Sequence, residues 1–223
     1  NPSSWVRLAT TGEKYAEHYI RSIRDGVLGY ETMGDLPTPT SKEATILEPL
    51  AAQLQPNPTR AKELETIIKA TGRMLPKDYW PHIGLIGCWL GGSAGIQAKL
   101  LTDYYGPVPM RDLGFRASEA ATMTLPIANH TAAGVLTTGI NFYEFIPESE
   151  IESEQPTILY SHELEQGQNY YIILTTESGL YRYDINDVIT VESFYRRAPI
   201  IAFVRKGRDM VSLTGEKLHV NQI

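Results

Sequence analysis

HIGLIGCWLGGSAGIQAKLL, residues 82–101, passes from a short apolar run through a glycine-rich turn into a stretch with helical spacing. HIGLIGCWL has the length of a strand, and GGSAG is a turn. In the following IQAKLLTDYYG, Ile96, Leu100 and Tyr104 fall on one face of a helix. These pieces make at least one strand-to-helix crossover. The rest of the chain is helix-rich in front and strand-rich behind, which predicts an α/β or α+β fold with mixed sheets and flanking helices.

Upstream, SSWVRLATTGEKYAEHYIRSIRDG (3–26) spaces Trp5, Leu8, Tyr15, Tyr19, Ile20 and Ile23 helically, with Gly26 as the stop. NPTRAKELETIIKATG (57–72) predicts a second helical unit, with Asn57 as N-cap, Pro58 in the first turn and Gly72 at the C-terminal end. The intervening ETMGDLPTPTSKEATILEP (31–49) reads as turn-rich. Downstream, VPMRDLGF, GVLTTGINFYEFIP, NYYIILTTESGLYRYD, DVITVESFY and IIAFVRKG carry β-branched and aromatic residues between Gly, Pro and Asn, and predict strands.

With 223 residues, 42% hydrophobic content and a net charge of −6, the chain has the composition of an ordinary globular protein. Its pI near 5.4 argues against nucleic acid as a partner. The late basic cluster Arg196, Arg197, Arg205, Lys206 and Arg208 suits a small anion instead. A single cysteine, Cys88, rules out a disulfide framework and reads as a buried core thiol. No run reaches the length of a membrane span and no basic leader precedes an apolar core, so the expected location is cytoplasmic with no membrane partner. The chain opens at Asn1 without Met and ends at Ile223, and is expected to be cut from something longer.

Several short stretches bear chemistry. Gly91, Gly92, Ser93, Ala94 and Gly95 lie where backbone can approach a ligand, although taken alone they favour a plain tight turn. In GFRASEA (114–120), Ser118 and Glu119 offer oxygens for Mg²⁺, but by themselves favour Ser118 as a helix cap. Glu144 in NFYEFIPE reads as the solvated face of a half-buried sheet. The five histidines show no metal-ligand spacing, and no G-x-S-x-G elbow is present. LYRYDINDVI (180–189) sets Asp184 and Asp187 in a strand-like segment, either facing water at a strand end or gripping a polar ligand in a cleft.

The succession WP (80–81), LGGSAG, GFRASEA, NFYEFIPE, SGLYRYDINDVI and FVRKGRDMVSLTGEKL resembles the acyl acid amido synthetases of the auxin-responsive Gretchen Hagen family. That family lies within the adenylate-forming superfamily of acyl-CoA synthetases and luciferases. FRASE is similar to its adenine motif, EFIP is present verbatim, and LYRYDINDV is similar to its ribose motif. The resemblance implies part of the large N-terminal domain of such an enzyme: a mainly helical segment over 1–79, a nucleotide-binding α/β core over 80–215, and over 216–223 the start of a hinge to a further domain. It implies ATP and Mg²⁺ as cofactors, with a carboxylic acid and an amino acid or other amine as partners. Asp187 would then accept hydrogen bonds from the ribose hydroxyls, and Glu119 would hold Mg²⁺. Ala117 and Ser118 would lie beside adenine, Gly92 and Ser93 against the base, Phe203 near the nucleotide, Arg208 near the ribose and Lys217 near the phosphate. Asn186 stands where the family usually has Gly, a position needing left-handed backbone that Asn tolerates. Asp184 stands where plant members usually have Arg, and is expected to be solvated.

The family's phosphate-binding loop lies upstream of this kind of sequence, so the chain is expected not to adenylate or conjugate efficiently alone. A nucleotide-binding module without catalysis and an acyl-CoA ligase are the competing readings.

Overall fold

The computed structural model describes residues 1–29, 39–207, 210–213 and 216–219, the last two segments as backbone. The chain divides into two compact units: residues 4–83 with 103–106, and residues 1–3 and 84–102 with 107–223.

The first unit is helical: α1 (Pro2–Lys14), α2 (Ala16–Asp25), α3 (Ser41–Ala51), α4 (Pro58–Thr71) and α5 (Pro76–Tyr79). Gly26 ends α2 with φ 70°, its N–H donating to Ser22 O. A Cβ at Gly26 would also lie 2.5 Å from Pro56 N, so glycine is required twice over. The Asn57 side chain accepts from Arg60 N, Pro58 opens α4, and Gly72 closes it with φ 75°, as the sequence predicts. Ile20, Ala61, Leu64 and Met74 form the core, with Ile23, Ile67, Ile68 and Tyr79 packed against it.

Helix α3 corrects the turn-rich reading of its segment. Thr40 and Glu43 form a reciprocal capping box, and α3 buries no residue despite holding Pro49. It is therefore started by its cap rather than by an apolar face, and apolar periodicity misses it.

The second unit carries α6 (Gly92–Ala98) and the strands. HIGLIGCWL is mostly loop. Only β1 (Ile86–Gly87) is a strand, parallel to β2 (Met110–Arg111). The helical face expected from Ile96 and Leu100 is not buried. Both are exposed, and Ala98 and Leu101 are buried in their place, because the helix breaks after Ala98 and a second one, α7 (Leu101–Tyr105), begins. The hairpin β3 (Arg116–Ala117) and β4 (Ala121–Thr122) follows.

A seven-stranded sheet, antiparallel throughout, fills the rest. Its strands are β5 (Thr124–Leu125), β6 (Gly134–Leu136), β7 (Phe142–Pro147), β8 (Leu159–Tyr160), β9 (Asn169–Thr175), β10 (Tyr183–Tyr195) and β11 (Ala198–Lys206). Their spatial order is β5-β6-β11-β10-β9-β7-β8. One cluster holds Phe145, Ile172, Leu174, Ile189, Val191 and Ile201. A second cluster holds Ile146, Tyr171, Ile173 and Val188. Neighbours along a strand, such as Ile172 and Ile173, go to different clusters, as the pleat requires. Strands β12 (Met210–Leu213) and β13 (Glu216–His219) pair separately. Cys88 is fully buried, as expected. Among the described residues no helix is long and apolar enough to cross a membrane.

In the helical unit Arg73 meets Glu13 with two bonds, Nε to Oε1 at 2.5 Å and Nη2 to Oε2 at 2.9 Å. That contact holds the Glu13 carboxyl below its ordinary value of 4.5, against an opposing push from burial. A carboxyl lowered in the folded state contributes stability above its unfolded value and loses it as pH falls. Glu13→Gln is therefore expected to flatten the stability loss between about pH 5 and about pH 2 in chemical unfolding. Equal acid limbs in the two proteins would refute the assignment.

Candidate nucleotide site

The segment after β9 reverses direction through residues 176–180 and re-enters the sheet as β10. At the re-entry Arg182 has φ 46°, and its N–H donates to Thr175 Oγ1 at 3.0 Å. Its Nε donates to Glu144 Oε2 at 3.0 Å. Glu144 is buried, which corrects the expectation of a solvated glutamate. Glu144, Ile173 and Asp184 are register partners across β7, β9 and β10, so the glutamate is closed in by the neighbouring strand while Arg182 reaches it from the solvent side.

Pairing between β10 and β9 breaks after Asp184 and resumes at Val188. Within the break Asp184 Oδ1 accepts from Asn186 N at 2.7 Å, and Asn186 takes φ 58°. The residue standing where the family has Gly thus adopts the left-handed backbone expected of it. Asp184 is half-buried and holds this turn rather than standing as a purely solvated charge. Asn186 O in turn accepts from Gly207 N at 2.7 Å. A Cβ at Gly207 would overlap the Tyr171 ring and the Asn186 side chain, so any other residue where β11 ends would force both to shift.

This turn carries Asp187 inward, to 3% exposure. Its register partner on β11 is Lys206, also buried, and Lys206 Nζ pairs with Asp187 Oδ1 while donating to Ile185 O at 3.0 Å. Asp187 is therefore neither at the solvent face nor alone. Lys206 is thus the partner of a candidate site residue, and in the sequence it reads only as one of a basic cluster. Its signal was its position at the end of the apolar run IIAFV, on the strand paired to the one bearing Asp187.

Phe203 lies three residues before Lys206. The β10–β11 register shifts between Val188 and Ile189, pairing Arg205 with Val188 but Phe203 with Ile189, so Val204 is left over. The glycine turn closes onto Phe203: a Cβ at Gly92, where φ is 55°, would meet the Phe203 ring at 3.7 Å. Phe115 stacks obliquely on Phe203, with centroids 5.6 Å apart. Phe115 leads into the β3–β4 hairpin, whose turn holds Ser118, Glu119 and Ala120. Ala120 N donates to Ala117 O at 3.2 Å. Ser118 therefore caps no helix, which corrects the reading favoured by the residues alone. Asn141 Nδ2 steadies the turn by donating to Ala120 O at 3.1 Å.

Asp112, unnoticed in the sequence, is 6% exposed and receives Leu90 N at 2.6 Å on Oδ2 and Gly114 N at 2.7 Å on Oδ1. Burial pushes its carboxyl above the ordinary value, and the two N–H donors pull against that shift. Burial likewise pushes the Cys88 thiol up, which suits a core residue rather than a nucleophile.

Gly92, Ser93, Ala117, Ser118, Glu119, Asp187 and Phe203 all fall within the second unit. Contacts link Gly92, Phe203 and the approach to Ala117, and the β10–β11 register links Phe203 to Asp187. Glu119 is half-buried, and among the described residues no group of three or more His, Cys, Asp or Glu stands where it could hold a metal ion. Lys217 lies in β13 opposite Ser212. Arg208 lies outside the described residues.

The model of the GH3 family N-terminal domain matches residues 1–110, and that of the GH3 family central domain matches residues 134–206. The chain belongs to the GH3 family. It is 25% identical over 218 residues to indole-3-acetic acid-amido synthetase GH3.8 of Oryza sativa subsp. indica, covering 92% of this chain and 36% of that protein. It is 24% identical over 214 residues to jasmonoyl–L-amino acid synthetase JAR4 of Nicotiana attenuata, covering 92% of this chain and 35% of that one. The solved GH3.15 acyl acid amido synthetase superposes with a TM-score of 0.71 at 24% identity, covering 98% of this chain and 37% of that chain. The GH3 fold is thus shared, and bears out the expected mixed α/β architecture. The GH3 chain spans a little over a third of the length of these relatives.

Removing Lys206 leaves a buried carboxylate uncompensated. Lys206→Met is expected to cost about 3–5 kcal/mol in urea unfolding. Adding Asp187→Leu should recover most of that loss, since an apolar pair of similar volume replaces a buried ion pair at little cost. A single variant as stable as the wild type, or a double variant no better than the single, would show the pair to be absent in solution.

Proposed function

We propose that this chain supplies the nucleotide-binding part of an ATP-dependent acyl acid amido synthetase. In the reaction a carboxylate attacks the α-phosphorus of ATP, giving acyl-adenylate and pyrophosphate. An amine, typically an amino acid, then attacks the acyl carbon, giving an amide and releasing AMP. The observation that carries the reading is the β10–β11 hairpin, which sets Asp187 and Phe203 on adjoining strands with Gly92 packed on the Phe203 ring. Relatives over most of this chain are named as amido synthetases acting with indole-3-acetic acid and jasmonate, which supports the same class of chemistry here.

In this reading Asp187, its charge balanced by Lys206, turns outward from its 3% exposed position to accept from the ribose hydroxyls, a task suited to an acceptor-only carboxylate. Ala117 and Ser118 flank adenine from the hairpin, Gly92 and Ser93 line the opposite side, and Phe203 packs along the nucleotide. Arg208 completes the ribose contacts. Lys217, at the start of the hinge proposed for 216–223, serves the phosphate. Glu119 holds Mg²⁺, which neutralises charge on the phosphoryl oxygens when bound. A cytoplasmic setting belongs to the same proposal, and the single buried Cys88 is compatible with a reducing compartment.

Calorimetric titration of the chain with AMP tests the reading. AMP is expected to bind, and Asp187→Asn to weaken it by about tenfold or more, the scale of a lost hydrogen bond to a charged group. Because that variant also strands Lys206, Glu119→Gln serves as a second arm. It should leave AMP affinity unchanged and abolish the gain in ATP affinity on adding Mg²⁺. Failure of the wild type to bind AMP, or equal affinity in the Asp187 variant, would overturn the proposal.

A further inference from the structure

Three carboxylates are buried among the described residues, and they are balanced differently. Glu144 is paired with Arg182 and Asp187 with Lys206. Asp112 has no cation within ion-pair distance among the described residues. Its charge is met by two backbone N–H groups, at 2.6 and 2.7 Å. A charge held away from water costs free energy unless strong hydrogen bonds replace hydration, and short bonds from N–H to an ionised oxygen do so. What those two donors are decides what the charge is for.

Leu90 immediately precedes Gly91, the N-cap of α6, and so anchors the start of the turn that carries Gly92 and Ser93. Gly114 immediately precedes Phe115 and so anchors the start of the hairpin that carries Ala117, Ser118 and Glu119. Gly114 has φ 89°, and a Cβ there would lie 2.5 Å from Thr124 O. The next residue, Phe115, donates its N–H to Thr124 Oγ1 at 2.8 Å. The hairpin base therefore has little freedom beyond what these bonds allow. Close to these anchored ends both loops also meet Phe203, one through Gly92 and one through the Phe115 ring.

We propose that Asp112 is a positioning residue whose single carboxylate fixes the separation of the glycine turn and the FRASE hairpin, so that the two close on one nucleotide. Its use in nucleotide binding rests on the reading given under Proposed function; the tether itself does not. Asp112 touches no substrate. It acts through Leu90 N–H and Gly114 N–H.

The test is amide hydrogen exchange on the whole chain, with AMP titration alongside. In the wild type the Leu90 and Gly114 amides should exchange far more slowly than those of unstructured peptide. Asp112→Leu has a similar volume but offers no acceptor to either N–H group, so both bonds are lost together. Exchange should rise about tenfold or more at both Leu90–Ser93 and Gly114–Glu119, with Ile172, Val191 and Ile201 unchanged. AMP affinity should fall by about the same factor. The proposal is overturned if either wild-type amide exchanges as fast as free peptide, if only one loop loosens, or if the sheet amides speed up equally, as for a mere buttress. It is overturned too if AMP affinity is unchanged in a variant whose parent binds. Should the wild type not bind AMP, the nucleotide reading falls, and the exchange pattern alone decides the tether.

Discussion

Withdrawing a carboxylate and an ammonium from water costs several kcal/mol for each ion before any attraction between them is counted, so Asp187 and Lys206 are buried on strict terms. The β10–β11 register must place them opposite each other. A slip of one residue would turn one charge to the other face and leave its partner stranded. Much of the local irregularity follows from meeting that condition. Asn186 adopts left-handed backbone so that Asp187 turns inward, Ile185 offers its carbonyl to the Lys206 ammonium, and Gly207 forgoes a side chain so that its N–H can reach Asn186 O.

Two further acids show how environment rather than residue type assigns a task. Glu144 is covered by its own sheet, yet its partner Arg182 keeps half its side chain in solvent, so that pair sits at the boundary and is the more open to screening. Asp112 is met instead by two backbone N–H groups, those of Leu90 and Gly114. In each case the carboxylate holds two pieces of chain that are distant in sequence.

Legibility in the sequence followed the range of the interaction concerned. Asn57, Pro58, Gly72 and Gly26 were readable because capping is settled within a few residues. The left-handed Asn186 was readable only through the resemblance, from the Gly that the family usually has at that position. Helix α3 was missed although its Thr40–Glu43 box is local, because apolar spacing was the signal sought and α3 buries nothing. The run HIGLIGCWL contributes two residues of strand, since only Ile86 and Gly87 find a partner. Glu144, Lys206 and Asp112 were illegible for a different reason. A charged residue is buried only when the opposite strand or a remote loop supplies what it needs, and no spacing along one strand reveals that. The candidate residues could be picked out through motif order, but the groups that hold them in place could not.

The hairpin that unites Asp187 and Lys206 is joined by the short link Arg196–Arg197, with Arg196 in left-handed backbone at φ 57°. All its contacts are consequently near neighbours in chain order, and closing it costs little conformational entropy beside that of docking β6 or the β7–β9 pair. The two charges therefore lie at the far end of the hairpin from Arg196, beyond the apolar pairs Val191–Ile201 and Ile189–Phe203. Both partners of the ion pair are thus supplied by one hairpin of consecutive strands.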